Sequence, residues 1–147
     1  LLLLYRVVKN FEKDKGPHTL NELAGSVNIP RRYVVDICYE LEKSKLIEGY
    51  KMIVNPKSLG YTTTAFIGVF LDASSQLAPT IKSLKAIPEV VESHYTTGNY
   101  AVFIKVLCKN NEDLMYLLNK DMQNIKGVLR TETFISLEQH INRQILI

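Results

Sequence analysis

Cysteine is scarce in this chain: Cys38 and Cys108 are the only two, and each lies within an apolar run. That excludes a disulfide-stapled fold, the clustered thiols of an iron–sulfur centre and the Cys/His spacing of a zinc site. Buried, reduced thiols and a cytoplasmic location are the expectation, with no resident cofactor or metal. No apolar run approaches the ~18 residues that cross a bilayer, so a membrane is not an expected partner. Leu1-Leu2-Leu3-Leu4 is too short for a signal-peptide core, lacks a basic stretch before it, and is followed by Arg6 and Lys9. No Gly-rich phosphate loop is present, and His18, His94 and His140 are scattered. The chain does not read as an enzyme.

What remains is 147 residues, 46% hydrophobic and 22% charged, which is enough for one globular domain or two small ones. The net charge of +3 is unevenly placed. Basic residues outnumber acidic ones only up to Gly60, and beyond it the two balance. An excess confined to one segment hints at a polyanionic partner for that segment.

The N-terminal segment, residues 1–54, carries helical spacing at Leu4, Val7, Val8 and Phe11, which stops in Lys13-Asp14-Lys15-Gly16-Pro17. Thr19 and Glu22 then stand three apart as a capping box, opening a short helix through Leu20, Leu23, Ala24 and Val27. Asn28 accepts the left-handed backbone of a sharp turn, and Pro30 opens a further helix whose Val34, Ile37, Cys38 and Leu41 point inward. This is the spacing of a DNA-binding helix-turn-helix. Its second helix would offer Arg31, Arg32, Tyr33 and Asp36 to base edges in double-stranded DNA, with Lys43 and Lys45 suited to phosphates. The alternative is a helical hairpin whose arginines form a solvated face. The stretch from Leu46 to Val54 reads as strand, turn and strand, a wing or ribbon, and residues 55–62 form a linker.

Residues 63–147 read as βαββαβ. Strands are expected over residues 63–72, 89–95, 101–107 and 128–137. One helix opens at Asp72-Ala73-Ser74-Ser75, and a second is capped by Asn110 or Asn111 and ended by Gly127. The order is that of a ferredoxin-like αβ-sandwich, giving an α+β fold overall. Both helices should cover one face of the sheet, yet the other face, with Phe66, Phe70, Phe103 and Leu107, is also apolar. Burial against a second copy, a homodimer at least, follows. Between the middle strands lies Thr96-Thr97-Gly98-Asn99-Tyr100, where Gly-Asn tolerates positive φ and the side chains supply hydroxyls and an amide. Two readings of this tip are open: an ordinary tight turn, or a place where a ligand meets the backbone.

The helix-turn-helix and the βαββαβ pattern come together with Asn55-Pro56-Lys57-Ser58-Leu59-Gly60-Tyr61, Ile87-Pro88-Glu89-Val90, Thr96-Thr97-Gly98-Asn99-Tyr100 and Arg130-Thr131-Glu132-Thr133. In these the chain resembles the leucine-responsive/asparagine-operon regulator (Lrp/AsnC) family of transcription factors, from about Leu41 to Leu137. Phe103-Ile104-Lys105-Val106 after the tip is most similar to the asparagine-responsive branch. Departures are Pro30 and Ile37, where the family carries serine and arginine, and Ala101, where many relatives carry an acidic residue. The resemblance implies a one-component regulator, dimeric through its sheets and assembled as an octamer of four dimers. It implies a free amino acid, asparagine or another, held between dimers. Gly98, Asn99 and Tyr100 would line that site, with Thr97, Thr131 and Thr133 as neighbours. The rival reading is an amino-acid sensor that acts through a protein partner instead of DNA.

Overall fold

The computed structural model describes residues 19–49 and 53–142. The helix expected over residues 4–11, the centre of the expected ribbon (residues 50–52), His18 and residues 143–147 lie outside the described residues. The chain divides into two compact units between Ile53 and Val54, the second running to Ile141.

In the first unit, α1 (Leu20–Val27) opens on the capping box. The Glu22 amide donates to the Thr19 hydroxyl at 3.2 Å, and the Thr19 amide donates to the Glu22 carboxylate at 2.8 Å. Asn28 ends the helix in the left-handed region, at φ 54, which turns the chain within two residues. Pro30 then stands immediately before α2 (Arg31–Lys43), where a residue with no N–H leaves no helical carbonyl unpaired. Ala24 and Val27 of α1 pack with Val34 and Cys38 of α2, and Leu20, Ile29 and Ile37 pack against them. The ribbon strands expected from Leu46 are not formed by the described residues 44–49 or 53–55. The reason is local. Lys45 takes φ 59, and the amides of Lys45, Leu46 and Ile47 donate to the last carbonyls of α2, those of Glu42 and Leu41. Amides engaged in a helix cap are not free for a ladder.

The second unit begins with a 3-10 turn, Pro56–Leu59, capped by the Asn55 side chain and closed by Gly60 at φ 85. Then follow β1 (Thr63–Leu71), α3 (Leu77–Leu84), β2 (Val90–Tyr95), β3 (Val102–Cys108), α4 (Asn111–Tyr116) and β4 (Val128–Ser136). The strand order is β2-β3-β1-β4, and every neighbouring pair is antiparallel, as the α+β ferredoxin-like expectation requires. Two helix details differ from expectation. Ser74–Gln76 form a separate 3-10 turn, so α3 proper starts at Leu77 with Pro79 in its first turn. The second helix widens after Tyr116 into a π-helical turn, Leu117–Met122, which keeps both Leu117 and Met122 buried.

Alternation builds the core. Ala65, Ile67 and Val69 of β1 and Val102, Ile104 and Val106 of β3 face the helices, meeting Leu84, Leu114, Leu117 and Met122. The alternate positions, Phe66, Gly68 and Phe70 on β1 and Phe103 on β3, fall on the opposite face, which no helix of this unit covers. Both outcomes follow from the period of two in the sequence.

Candidate functional site

The register Tyr95↔Val102 leaves residues 96–101 as the hairpin tip. The Thr96 amide donates to the Ala101 carbonyl at 3.1 Å, and the Thr96 hydroxyl donates to the Tyr100 carbonyl. The Ala101 amide reaches across to the Val69 carbonyl at 3.0 Å, tying the tip to β1. Thr97, Gly98 and Asn99 are exposed. One expectation is corrected here. Among the described residues only Gly60 and Gly127 are glycines with positive φ, so neither Gly98 nor Asn99 is left-handed. A loop of six residues, closed by Thr96, reverses the chain without the strained pair that a two-residue turn demands. What Gly98 contributes is bare backbone, since a Cβ there would meet nothing within 4 Å.

Tyr100 leaves the tip and lies on the open face of the sheet. Its ring sits on Gly68, where a Cβ would approach the ring to 2.3 Å, so only glycine fits. Around it stand Phe70 (5.1 Å, edge-on), Phe103 (5.7 Å, stacked) and Phe134 (6.3 Å, edge-on). The β4 register sets Glu132 beside Gly68 and Arg130 beside Phe70. The Tyr100 hydroxyl therefore donates to Glu132 Oε2 at 2.8 Å, while Arg130 Nη1 donates to Glu132 Oε1 at 2.6 Å. The Arg130 guanidinium lies 3.7 Å over the Phe70 ring. Donating to a carboxylate holds the Tyr100 phenol above its ordinary pKa, with desolvation adding to this. Accepting from Tyr100 and Arg130 holds Glu132 below the usual carboxylate range.

Of the six residues expected around an effector, the structure keeps Thr97, Gly98, Asn99 and Tyr100 together as one tip. It does not bring Thr131 and Thr133 to Tyr100. They pair with Val69 and Ile67, and so point to the helix-covered face, opposite to Glu132. Sequence reasoning missed Thr96, Arg130 and Glu132. The signal for Glu132 was present: a glycine in mid-strand marks a close approach, and alternation along Arg130-Thr131-Glu132-Thr133 puts both charges on one side.

On α2, Arg31, Arg32, Tyr33 and Asp36 are all exposed along the N-terminal half. Arg32 donates to the Tyr33 hydroxyl at 3.2 Å and lies 4.8 Å over its ring. Lys43 is the last residue of the helix, 3.9 Å from Glu40, while Lys45 sits beyond it in the left-handed turn. Cys38 and Cys108 are buried and unpaired; burial pushes the Cys108 thiol up to about 11. No group of three metal-ligating side chains occurs among the described residues, and no helix among them is long and apolar enough to cross a membrane.

These parts define a class: an α+β sandwich with a polar tip, in one chain with two helices joined by a tight turn. Residues 64–146 match the domain described as the Lrp/AsnC ligand binding domain, and the chain belongs to the Lrp/AsnC family. The chain is 36% identical over 106 residues to regulatory protein AsnC of Escherichia coli K12, covering 72% of this chain and 70% of that one. It is 31% identical over 135 residues to the transcriptional regulator FL11 of Pyrococcus furiosus, covering 92% and 87%. The solved structure of E. coli AsnC superposes with a TM-score of 0.90 at 28% identity, covering 100% of this chain and 98% of that one. A Neisseria meningitidis transcriptional regulator solved with L-Met shares the fold at 17% identity (TM-score 0.89, covering 96% and 92%). These relatives are named as regulators, not as enzymes.

Proposed function

We propose that the chain is a sequence-specific DNA-binding transcriptional regulator whose assembly or DNA binding is modulated by a free amino acid held between C-terminal domains. The observation that carries this is the pairing, in one chain, of an arginine-bearing helix edge at Arg31 and Arg32 with a ligand-binding domain over residues 64–146. Residues 1–54 act as a helix-turn-helix module, residues 55–62 as the linker, and residues 63–147 as the effector and assembly domain. Arg31, Arg32, Tyr33 and Asp36 meet base edges, and Lys43 and Lys45 meet phosphates. Thr97, Gly98 and Asn99 meet the effector with hydroxyl, backbone and amide, whose N–H and O–H groups donate to a carboxylate and whose oxygens accept from an ammonium, with Tyr100 fixing the tip. Asparagine is the first candidate, and the L-Met complex of the Neisseria regulator supports an amino acid as the class.

The open sheet face supports self-association, to a dimer and then an octamer, in the cytoplasm. Its aromatic rings need cover, and Arg130 and Glu132 neutralise one another within the chain, so a covering surface need not bring counter-charge. The test is fluorescence anisotropy on the DNA upstream of the chain's own gene, with each of the twenty amino acids added in turn. Binding that responds to one of them, and is abolished by R31E/R32E, is the expected result. Binding indifferent to the charge reversal excludes α2 as the reader and favours action through a protein partner.

A further inference from the structure

The residues of α2 fall into faces by their spacing. Val34, Cys38 and Leu41 are buried, and opposite them stand Arg32, Asp36 and Lys43, with Arg31, Val35 and Tyr39 in a row one turn apart beside them. Two apolar side chains on this outward side are left uncovered by the described residues. Val35 is 39% exposed and Tyr39 62% exposed, so the core does not need them. Neither does the helix, because β-branched and aromatic residues lose χ1 freedom in a helix and form it less well than alanine, lysine or glutamate. A solvated helix face has no use for valine. A face that lies in a major groove does, because the groove floor is not uniformly polar. Each thymine presents a C5 methyl group there, the one apolar feature by which its edge is told from the others.

We propose that Val35 and Tyr39 form an apolar reading edge that selects thymine by contact with its C5 methyl group, alongside the charged contacts of the arginines. This rests on the DNA-binding reading above and specifies which bases that surface prefers. The dimensions fit. From Arg31 to Tyr39 the helix rises about 12 Å, roughly three to four base-pair steps. Val35 lies midway, in the half of the helix that reaches base edges, one turn beyond Arg31 and Arg32, which meet base edges beside it. Occupancy by DNA is favoured over a protein partner by the local charge: the exposed N-terminal half of α2 carries Arg31 and Arg32 against Asp36 alone.

The test uses the full chain and duplexes enriched by it from a random-sequence pool. Each thymine of the enriched site is replaced in turn by deoxyuridine, which removes one methyl group and leaves every hydrogen-bonding atom in place. At one or more positions the wild-type chain should bind the uracil duplex about fourfold more weakly, the worth of one buried methyl. V35A should be indifferent to the same replacement, and Y39A indifferent at a neighbouring position. V35A replaces an exposed helical residue with a better helix former and keeps the fold, so its salt dependence, which phosphate contacts set, should match the wild type. If every uracil duplex binds the wild type as tightly as its parent, or if V35A stays as sensitive as the wild type, the proposal is overturned while DNA binding stands. Failure to enrich any sequence overturns the DNA reading together with it.

Discussion

The ring of Tyr100 occupies the volume that a side chain at residue 68 would need: a Cβ on Gly68 would lie 2.3 to 2.5 Å from three of its ring carbons. One of those carbons is Cγ, next to the backbone, so a small shift of the ring tip cannot relieve the overlap. G68A should therefore displace the whole ring and cost about 1–3 kcal/mol, the usual penalty of overpacking. In a Y100A background the same substitution should cost far less, because the volume is then empty. Urea unfolding of the four variants measures this coupling, and simple additivity would refute the contact.

The hydrogen bond from Tyr100 to Glu132 sets a pH window. Glu132 is held below the ordinary carboxylate pKa by Tyr100 and Arg130, so its contribution is present at neutral pH and is lost as pH falls through the lowered value. Tyr100 is held above 10 chiefly by Glu132, so its contribution is complete below 10 and is lost as pH rises through the raised value. The pair is thus made between these limits and broken beyond either. E132A should bring the Tyr100 phenol down toward its ordinary value. The tyrosinate absorbance of the wild type minus that of Y100F, followed with pH and compared with the same difference in E132A, isolates this one of the eight tyrosines. An unchanged midpoint would show that Glu132 does not hold the phenol.

At the hairpin tip the exposure of Thr97, Gly98 and Asn99 makes substitutions there cheap in stability, typically within about 0.5 kcal/mol. T97A and N99A should each weaken amino-acid binding about tenfold by calorimetry, the worth of one good hydrogen bond to a charged group, and G98V should weaken it by setting a side chain over the backbone, all with unchanged melting. T131A and T133A should weaken it less, since their side chains lie on the other side of the sheet from Tyr100. The reverse ranking would move the effector away from the tip.

Which of these features a reader of the sequence could see depended on how local their causes are. The capping box of Thr19 and Glu22, the left-handed Asn28 and the alternation of β1 and β3 each follow from residues within one turn or one strand, and all were legible. The tip was misread because Gly-Asn permits positive φ without requiring it, and the bonds of Thr96 to Tyr100 and Ala101 gave the chain a wider way round. The described start of the expected ribbon was misread because the apolar pair Leu46-Ile47 suits a strand, yet its amides close the end of α2. For Glu132 the alternation showed the face but not the contact. Its partner Tyr100 lies thirty-two residues away, and only the β1–β4 register brings Glu132 beside Gly68, and so within reach of the phenol.

The open face offers the sharpest test of assembly. Phe134 is 49% exposed and packs its inner edge on Tyr100, so within one chain it is half covered and half free. A charge there would be tolerated by a monomer, whose outer edge is wet, but not by a dimer that covers this face. In a dimer, F134D would carry an uncompensated carboxylate into the contact, on the same face as Glu132. The ion pair of Arg130 with Glu132 gives it no relief, because that guanidinium is already engaged by a carboxylate and by the Phe70 ring. F134D should therefore lower the mass seen by light scattering to that of one chain at micromolar concentration, with the circular dichroism of a folded protein retained. F134L, which keeps the face apolar, should remain assembled. If F134D keeps the mass of the wild type, this face is not where copies of the chain meet.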